Sequence, residues 1–525
     1  MKNIKIFYLK LFKVNYSFKA VSFFILIFYA SLKTHAQISA NNQLYNSTTE
    51  SLVQYTAPEW FEDAKIGFWV HWGVYSVPAF NGNHDAAWYG RWMYCKEGQS
   101  EHDRGLATHN HHIATYGDPA VFGYKDFIPM FKAEKFNANE WVDLAINGGA
   151  KFFCMMGVHH DNFALWDTRF SKYNSVNMGP KKDLVGLMEK AARAKGLKFG
   201  VSNHSAWNFD FFKFSHINHD DAVDTATQDL YGNPIIQGMD AKPSERDISR
   251  WLTRTKELAE KYKPDLYYFD WDINYDEFLP GRRNFAAYYY NLGINSGKGS
   301  FGKPGVVMTS KFNAFPSGAS VLDHERTTEP SIAKTVWQTD DCVYERNWGY
   351  DPNARLKSAN TIIDELADVV SKRGVLMLSF APKSDGTFPE DQKALMLSIG
   401  KWLKICGEAI YATRPWTIYG QGPSLTNFKS KTYTPDDLRF TTNKARNILY
   451  AIVLERPQKQ VIIEKLPSGF IDKSAISEIT LIGYPEKLKW QLTSHGLVIS
   501  LPPVLPLYDY AYPIKIVFKN HVPDV

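Results

Sequence analysis

Short apolar runs that stop abruptly at a histidine or an acid recur through the N-terminal part of the chain. Tyr267, Tyr268 and Phe269 follow Pro264-Asp265 and end at Asp270. A compact apolar run with such borders reads as a buried parallel strand. Asp270 at its tip is then either a group at a barrel mouth or the cap of the next helix. Ile66–Val70 before His71, Lys151–Val158 before His159-His160-Asp161, and Leu197–Val201 before Asn203-His204 have the same texture. Gly305–Met308, Ser320–Leu322 before Asp323, Thr335–Trp337 and Gly374–Leu378 bring the strand candidates to eight. Helical spacing of apolar residues lies between several of them, at 140–146, 183–192, 248–262 and 362–370, and a further helix is expected from about 390 to 410. Strands alternating with helices predict an α/β fold, a (β/α)8-like barrel. An open doubly wound sheet is the competing expectation, but no Gly-rich phosphate loop follows any strand.

Past Gly420 the pattern changes to short strand candidates with turn residues between them, from Arg446–Val453 to Ile514–Phe518. This predicts a C-terminal antiparallel β-sandwich. The expected organisation is a leader at 1–36, a barrel at 37–423 and a sandwich at 424–525. In the leader, lysines precede an apolar run from Ala20 to Leu32, and Thr34-His35-Ala36 resembles a cleavage site before Gln37. An uncleaved anchor is the alternative, though the run is short for a membrane span. The leader holds six lysines and no acid, so removing it takes the net charge from +5 to −1. The basic balance therefore gives no support to a nucleic-acid partner. A secreted or periplasmic protein with no membrane span in the mature chain is expected.

Cys95, Cys154, Cys342 and Cys406 lie too far apart in sequence for a zinc spacing or a disulfide framework. Fifteen Trp and twenty-nine Tyr suit stacking on sugar faces and suit a plain core as well. If the barrel closes, its strand tips bring His71, His159, His160, Asp161, His204, Asp270, Asp272 and Asp323-His324-Glu325 to one mouth. Trp72, Trp88, Tyr268, Trp271 and Trp337 are aromatics at the same level. Two reaction classes fit: metal-assisted hydrolysis through His159, His160 and an Asp, and glycoside hydrolysis by two carboxylates.

Several segments, in order, resemble motifs of the family 29 glycoside hydrolases, the α-L-fucosidases. They are Trp60–Pro78, Gly149–Phe163, Gly179–Asp183, Pro264–Asp270, Trp348-Gly349-Tyr350 and Val370–Gly386. The resemblance implies a (β/α)8-like barrel followed by a β-sandwich, and a retaining exo-glycosidase with a carbohydrate substrate and no metal or organic cofactor. It puts Asp270 on the nucleophile and His71, His159 and His160 on histidines that hydrogen-bond fucose hydroxyls. Trp88 falls on the Trp of a Glu-Trp-Tyr motif, and Tyr268 on a Trp. His204 and Trp337 are added as sugar contacts, with Lys311 as a candidate for sulfate. The chain departs from the family in three places: Ala87 replaces the Glu of Glu-Trp-Tyr, Asn162 replaces a Gly, and Gln338 stands where many members carry Glu. The acid/base is accordingly assigned to Glu325, with Glu329 second. The departures keep two alternatives open, an α-L-galactosidase and an inactive sugar-binding homologue.

Overall fold

The computed structural model describes residues 45–525, apart from 83, 236–240, 300–302, 426–432 and 507. The leader expected at 1–36 lies outside the described residues. Among those described, no helix is long and apolar enough to cross a membrane.

Eight parallel strands form the barrel: β1 (Ile66–Val70), β2 (Phe152–Val158), β3 (Lys198–Asn203), β4 (Leu266–Phe269), β5 (Val307–Ser310), β6 (Val321–Leu322), β7 (Trp337–Cys342) and β8 (Gly374–Phe380). Their order is β6-β5-β4-β3-β2-β1-β8-β7. Between β6 and β7 the wall is completed by a parallel bridge, Asp323 to Gln338, where the His324 N–H donates to the Gln338 carbonyl at 2.9 Å. β1, β2 and β8 are buried along their whole length, because helices cover one face and the barrel interior the other.

The main helices are α1 (Ala138–Asn147), α2 (Leu184–Ala194), α3 (Glu245–Tyr262), α4 (Leu279–Asn295), α5 (Ala359–Ser371) and α6 (Glu390–Cys406). Their starts are written locally. The Asn137 side chain accepts from the Asn139 and Glu140 N–H groups, the Asp183 carboxylate from the Gly186 N–H, and Ser244 with Asp247 forms a capping box. Lys263 ends α3 with φ 43° in the left-handed region, and Pro264 then blocks any continuation of α3. The same pair therefore stops a helix and launches β4 toward Asp270.

Two antiparallel sheets follow, one of five strands and one of three. They make the expected β-sandwich. The five-stranded sheet includes β9 (Arg414–Gln421), which lies before residue 424, so the sandwich begins ahead of the boundary read from sequence. The sheet docks on α5 through a buried ion pair: Asp368 takes Arg439 Nε at 2.6 Å and Lys372 Nζ at 2.7 Å.

Candidate active site

One cavity opens at the C-terminal ends of the barrel strands. Its empty space, counting the part open to solvent, is about 360 Å³. His71, Trp88, His159, His160, His204, Tyr268, Asp270, Lys311 and Glu325 line it, as do Trp69, Ala87, Trp271, Asp340 and Trp348.

Lys311 organises the acids. It continues from β5, and its ammonium donates to Asp270 Oδ1 at 2.9 Å and Glu325 Oε2 at 2.8 Å. Because both oxygens share one nitrogen, they are separated by no more than the sum of those lengths, 5.7 Å. Asp340 Oδ2 stands 3.3 Å from the same nitrogen and accepts the Tyr268 hydroxyl at 3.1 Å. Burial works against the lysine's charge, but Asp270, Asp340 and Glu325 outweigh it and hold its pKa well above the usual lysine value.

The two facing carboxyls diverge. Burial alone would neutralise Asp270, yet Lys311, His204 and His160 hold it well below the usual carboxylate range. Glu325 moves the other way: burial raises its pKa, Asp340 and Asp270 add to the rise, and Lys311 only partly offsets it. Two carboxyls pushed apart in this manner are suited to one staying charged while the other carries a proton.

The histidines also divide. Burial takes His71 and His159 well below the usual imidazole value, so both are neutral donors or acceptors. Ser379 Oγ holds His71 Nδ1 at 2.7 Å. Burial opposes charge on His160, but hydrogen bonds and the fields of Asp270 and Asp272 raise it to about 9. Its Nε2 lies 3.5 Å from Asp270, and its Nδ1 meets the His204 carbonyl at 2.7 Å. His204 Nδ1 sits 3.2 Å from Asp270 Oδ2. Ligand atoms of His71, His159 and His204 lie within 4.8 Å of one another, as do those of His160, His204 and Asp270. Both sets are close enough to share an ion, but the second already has Lys311 on its acid.

Comparison with known proteins gives this constellation a context. The α-L-fucosidase family model matches residues 32–408, and the model of the α-L-fucosidase C-terminal domain matches 430–517. This chain belongs to the α-L-fucosidase family. Among relatives, plasma α-L-fucosidase of Homo sapiens is 27% identical over 87% of this chain and 88% of its own length. The α-L-fucosidase of Dictyostelium discoideum is 28% identical over 95% and 98%. The crystal structure of Thermotoga maritima α-fucosidase superposes with a TM-score of 0.71 at 28% identity, covering 90% of this chain and all of that one.

The family motifs converge on the cavity, but not every candidate does. Trp337 does not reach it: the side chain is 2% exposed, packs toward the helix layer and donates Nε1–H to the Lys372 carbonyl at 2.9 Å. Alternation along β7 explains this, since a strand sends neighbouring side chains to opposite faces. Trp72 is likewise packed against Phe131, Phe136 and Trp141. Glu329 pairs with His324 Nε2 at 2.9 Å instead of facing Asp270. Asp161 accepts from the Tyr124 hydroxyl and the Phe163 N–H, a structural role. Lys311 is in the cavity, but with its ammonium engaged by three carboxyls it is poorly placed for a sulfate.

The family's departures are now legible. Asn162 adopts φ 66°, a region that Gly and Asn tolerate, and its side chain accepts from Arg254. Gln338 is buried and donates to Asp323 Oδ1 at 2.7 Å. Ala87 is part of the cavity wall. Asp340 and Trp348 carry no role in the sequence reading. For Asp340 the available signal is parity: once Trp337 faces out, Gln338 and Asp340 face in.

Proposed function

We propose that this protein is a retaining exo-glycosidase that removes terminal α-L-fucosyl residues from glycans. The observation that carries the reading is the shared lysine, which keeps Asp270 and Glu325 oxygens within 5.7 Å. Retaining enzymes hold their carboxyl groups about 5–5.5 Å apart, inverting ones about 6.5–9.5 Å. Thermotoga maritima α-fucosidase, 27% identical, has been solved in complex with fucose, which supports the sugar assignment.

The mechanism follows from the electrostatics. Asp270, kept ionised, attacks the anomeric carbon and forms a glycosyl ester. Glu325, kept protonated, gives its proton to the departing oxygen. The Glu325 carboxylate then takes a proton from water, which attacks the anomeric carbon, breaks its bond to the Asp270 oxygen and releases Asp270 as a carboxylate. His71 and His159, neutral, grip ring hydroxyls, while Trp88, Trp271 and Trp348 wall the ring. The catalytic unit is the barrel, the sandwich supports it, and the basic apolar leader suits export across a membrane.

Ala87 sets one second reading against which the sugar is tested. A small side chain on the cavity wall leaves room for the extra C6 hydroxyl of an α-L-galactoside, and apolar pockets exclude small additions weakly. The deciding experiment uses Asp270→Ala and Glu325→Ala on aryl α-L-fucoside and α-L-galactoside, with azide. Azide restoring Asp270→Ala as the β-glycosyl azide, and Glu325→Ala as the α-glycosyl azide, is expected. No turnover of either substrate by the wild-type protein would sink the hydrolase reading.

A further inference from the structure

Behind Lys311 lies an arrangement that the hydrolytic steps do not use. Asp323 leaves the end of β6 and Asp340 lies on β7, where the barrel closes. Both are buried, and each carboxyl lies in the field of the other. Asp323 Oδ1 is satisfied by the Gln338 amide at 2.7 Å. Asp340 Oδ2 is satisfied by the Tyr268 hydroxyl and lies beside Lys311. The remaining oxygens, Asp323 Oδ2 and Asp340 Oδ1, are buried and have no hydrogen-bond partner among the described residues. Two ionised carboxylates are both acceptors and cannot satisfy each other. One proton between them would join the two orphaned oxygens in a strong O–H···O⁻ bond.

We infer that Asp323 and Asp340 share one proton, and that this pair is a positioning unit that holds Lys311 between Asp270 and Glu325. The proton resides on Asp323, whose other partner is a neutral amide. The negative charge stays on Asp340, which faces the ammonium. Burial and the neighbouring Asp340 both raise the Asp323 pKa, and Lys311 opposes them without prevailing. The charged and titratable groups around the pair are Lys311 from the end of β5, Tyr268 from β4, and Asp270 and Glu325 across the cavity. Without the proton, Asp340 Oδ1 would be an unpaired buried acceptor, and the lysine would face one more negative charge.

The positioning role rests on the hydrolase reading; the proton itself does not. The test therefore has a spectroscopic arm and a kinetic arm. Asp323→Asn preserves the shape and supplies an N–H to Asp340, so kcat/KM should stay within about threefold of wild type. Asp323→Leu leaves Asp340 unpaired and should lower kcat by about tenfold or more with little change in KM, and move the acid limb of the pH profile upward as Lys311 swings from Asp270 toward Asp340. In the infrared difference between wild type and Asp323→Asn near pH 7, a neutral-carboxyl C=O band should belong to the wild type alone. Absence of that band overturns the shared proton even if no fucoside is turned over. If the band is present but Asp323→Asn loses as much activity as Asp323→Leu, the positioning role fails.

Discussion

Replacing Lys311 with Met removes the group on which both acids depend. At 2.9 Å from Asp270, a unit charge is worth about 6 kcal/mol with an effective dielectric near 20. Water entry and relaxation reduce that, and breaking one side of a buried pair costs about 3–5 kcal/mol. Only part falls on the reaction, because His204 and His160 still stabilise Asp270. A loss of about 100- to 1,000-fold in kcat/KM is expected, roughly 3–4 kcal/mol. The pH profile is the sharper readout. Lys311 lowers the pKa of both Asp270 and Glu325, so its removal raises both. Activity needs Asp270 ionised and Glu325 protonated, so both limbs of the bell should move to higher pH together. The assay is kcat/KM for aryl α-L-fucoside from pH 3 to 10 (about half-unit steps suffice), with thermal melting as a folding control. Unmoved limbs with a raised KM alone would show that Lys311 contacts substrate and does not set the acids.

The remaining predictions test the corrected assignments and the buried charge. His160 is raised to about 9 from an unfolded value near 6.5, so its charge adds about 3 kcal/mol that is fully present below pH 6.5 and fades as pH rises through 9. Denaturant midpoints at pH 6 and 9.5 should differ by more in wild type than in His160→Gln; equal differences would refute the charge. Trp337→Phe should cost about 1 kcal/mol in stability from the lost hydrogen bond to Lys372, with KM unchanged; a KM increase would return Trp337 to the cavity. Glu329→Gln should leave both limbs of the pH profile in place, because its partner is His324 and not the reaction centre. A lost alkaline limb would make Glu329 the proton donor.

Much of the barrel was legible because a parallel strand covered on both faces must be apolar, and such runs stand out. β2, β4 and β8 are of this kind. β7 is not. Its Gln338-Thr339-Asp340-Asp341 stretch is entirely buried yet entirely polar, so the expected strand stopped at Trp337. Those residues tolerate burial only because others answer them: Asp323 meets Gln338, Lys311 meets Asp340, and Lys357 and Arg326 meet Asp341. α4 escaped notice for a related reason. Its buried set includes Gly281, Arg282 and Asn291 beside Phe285 and Tyr289, so no clean apolar stripe marks it.

By itself, the sequence determined the repeating strand-and-helix texture, the place of Asp270 at a strand tip, and the family, since each is carried by local order along the chain. The tertiary structure alone decided which acids meet. Asp270, Glu325 and Asp340 reach Lys311 from separate segments, and the protonation of Asp270, Glu325 and Asp323 depends on burial and on charges brought together only when the barrel closes. It also decided that Trp337 turns away from the cavity, because strand parity has meaning only once the register is set.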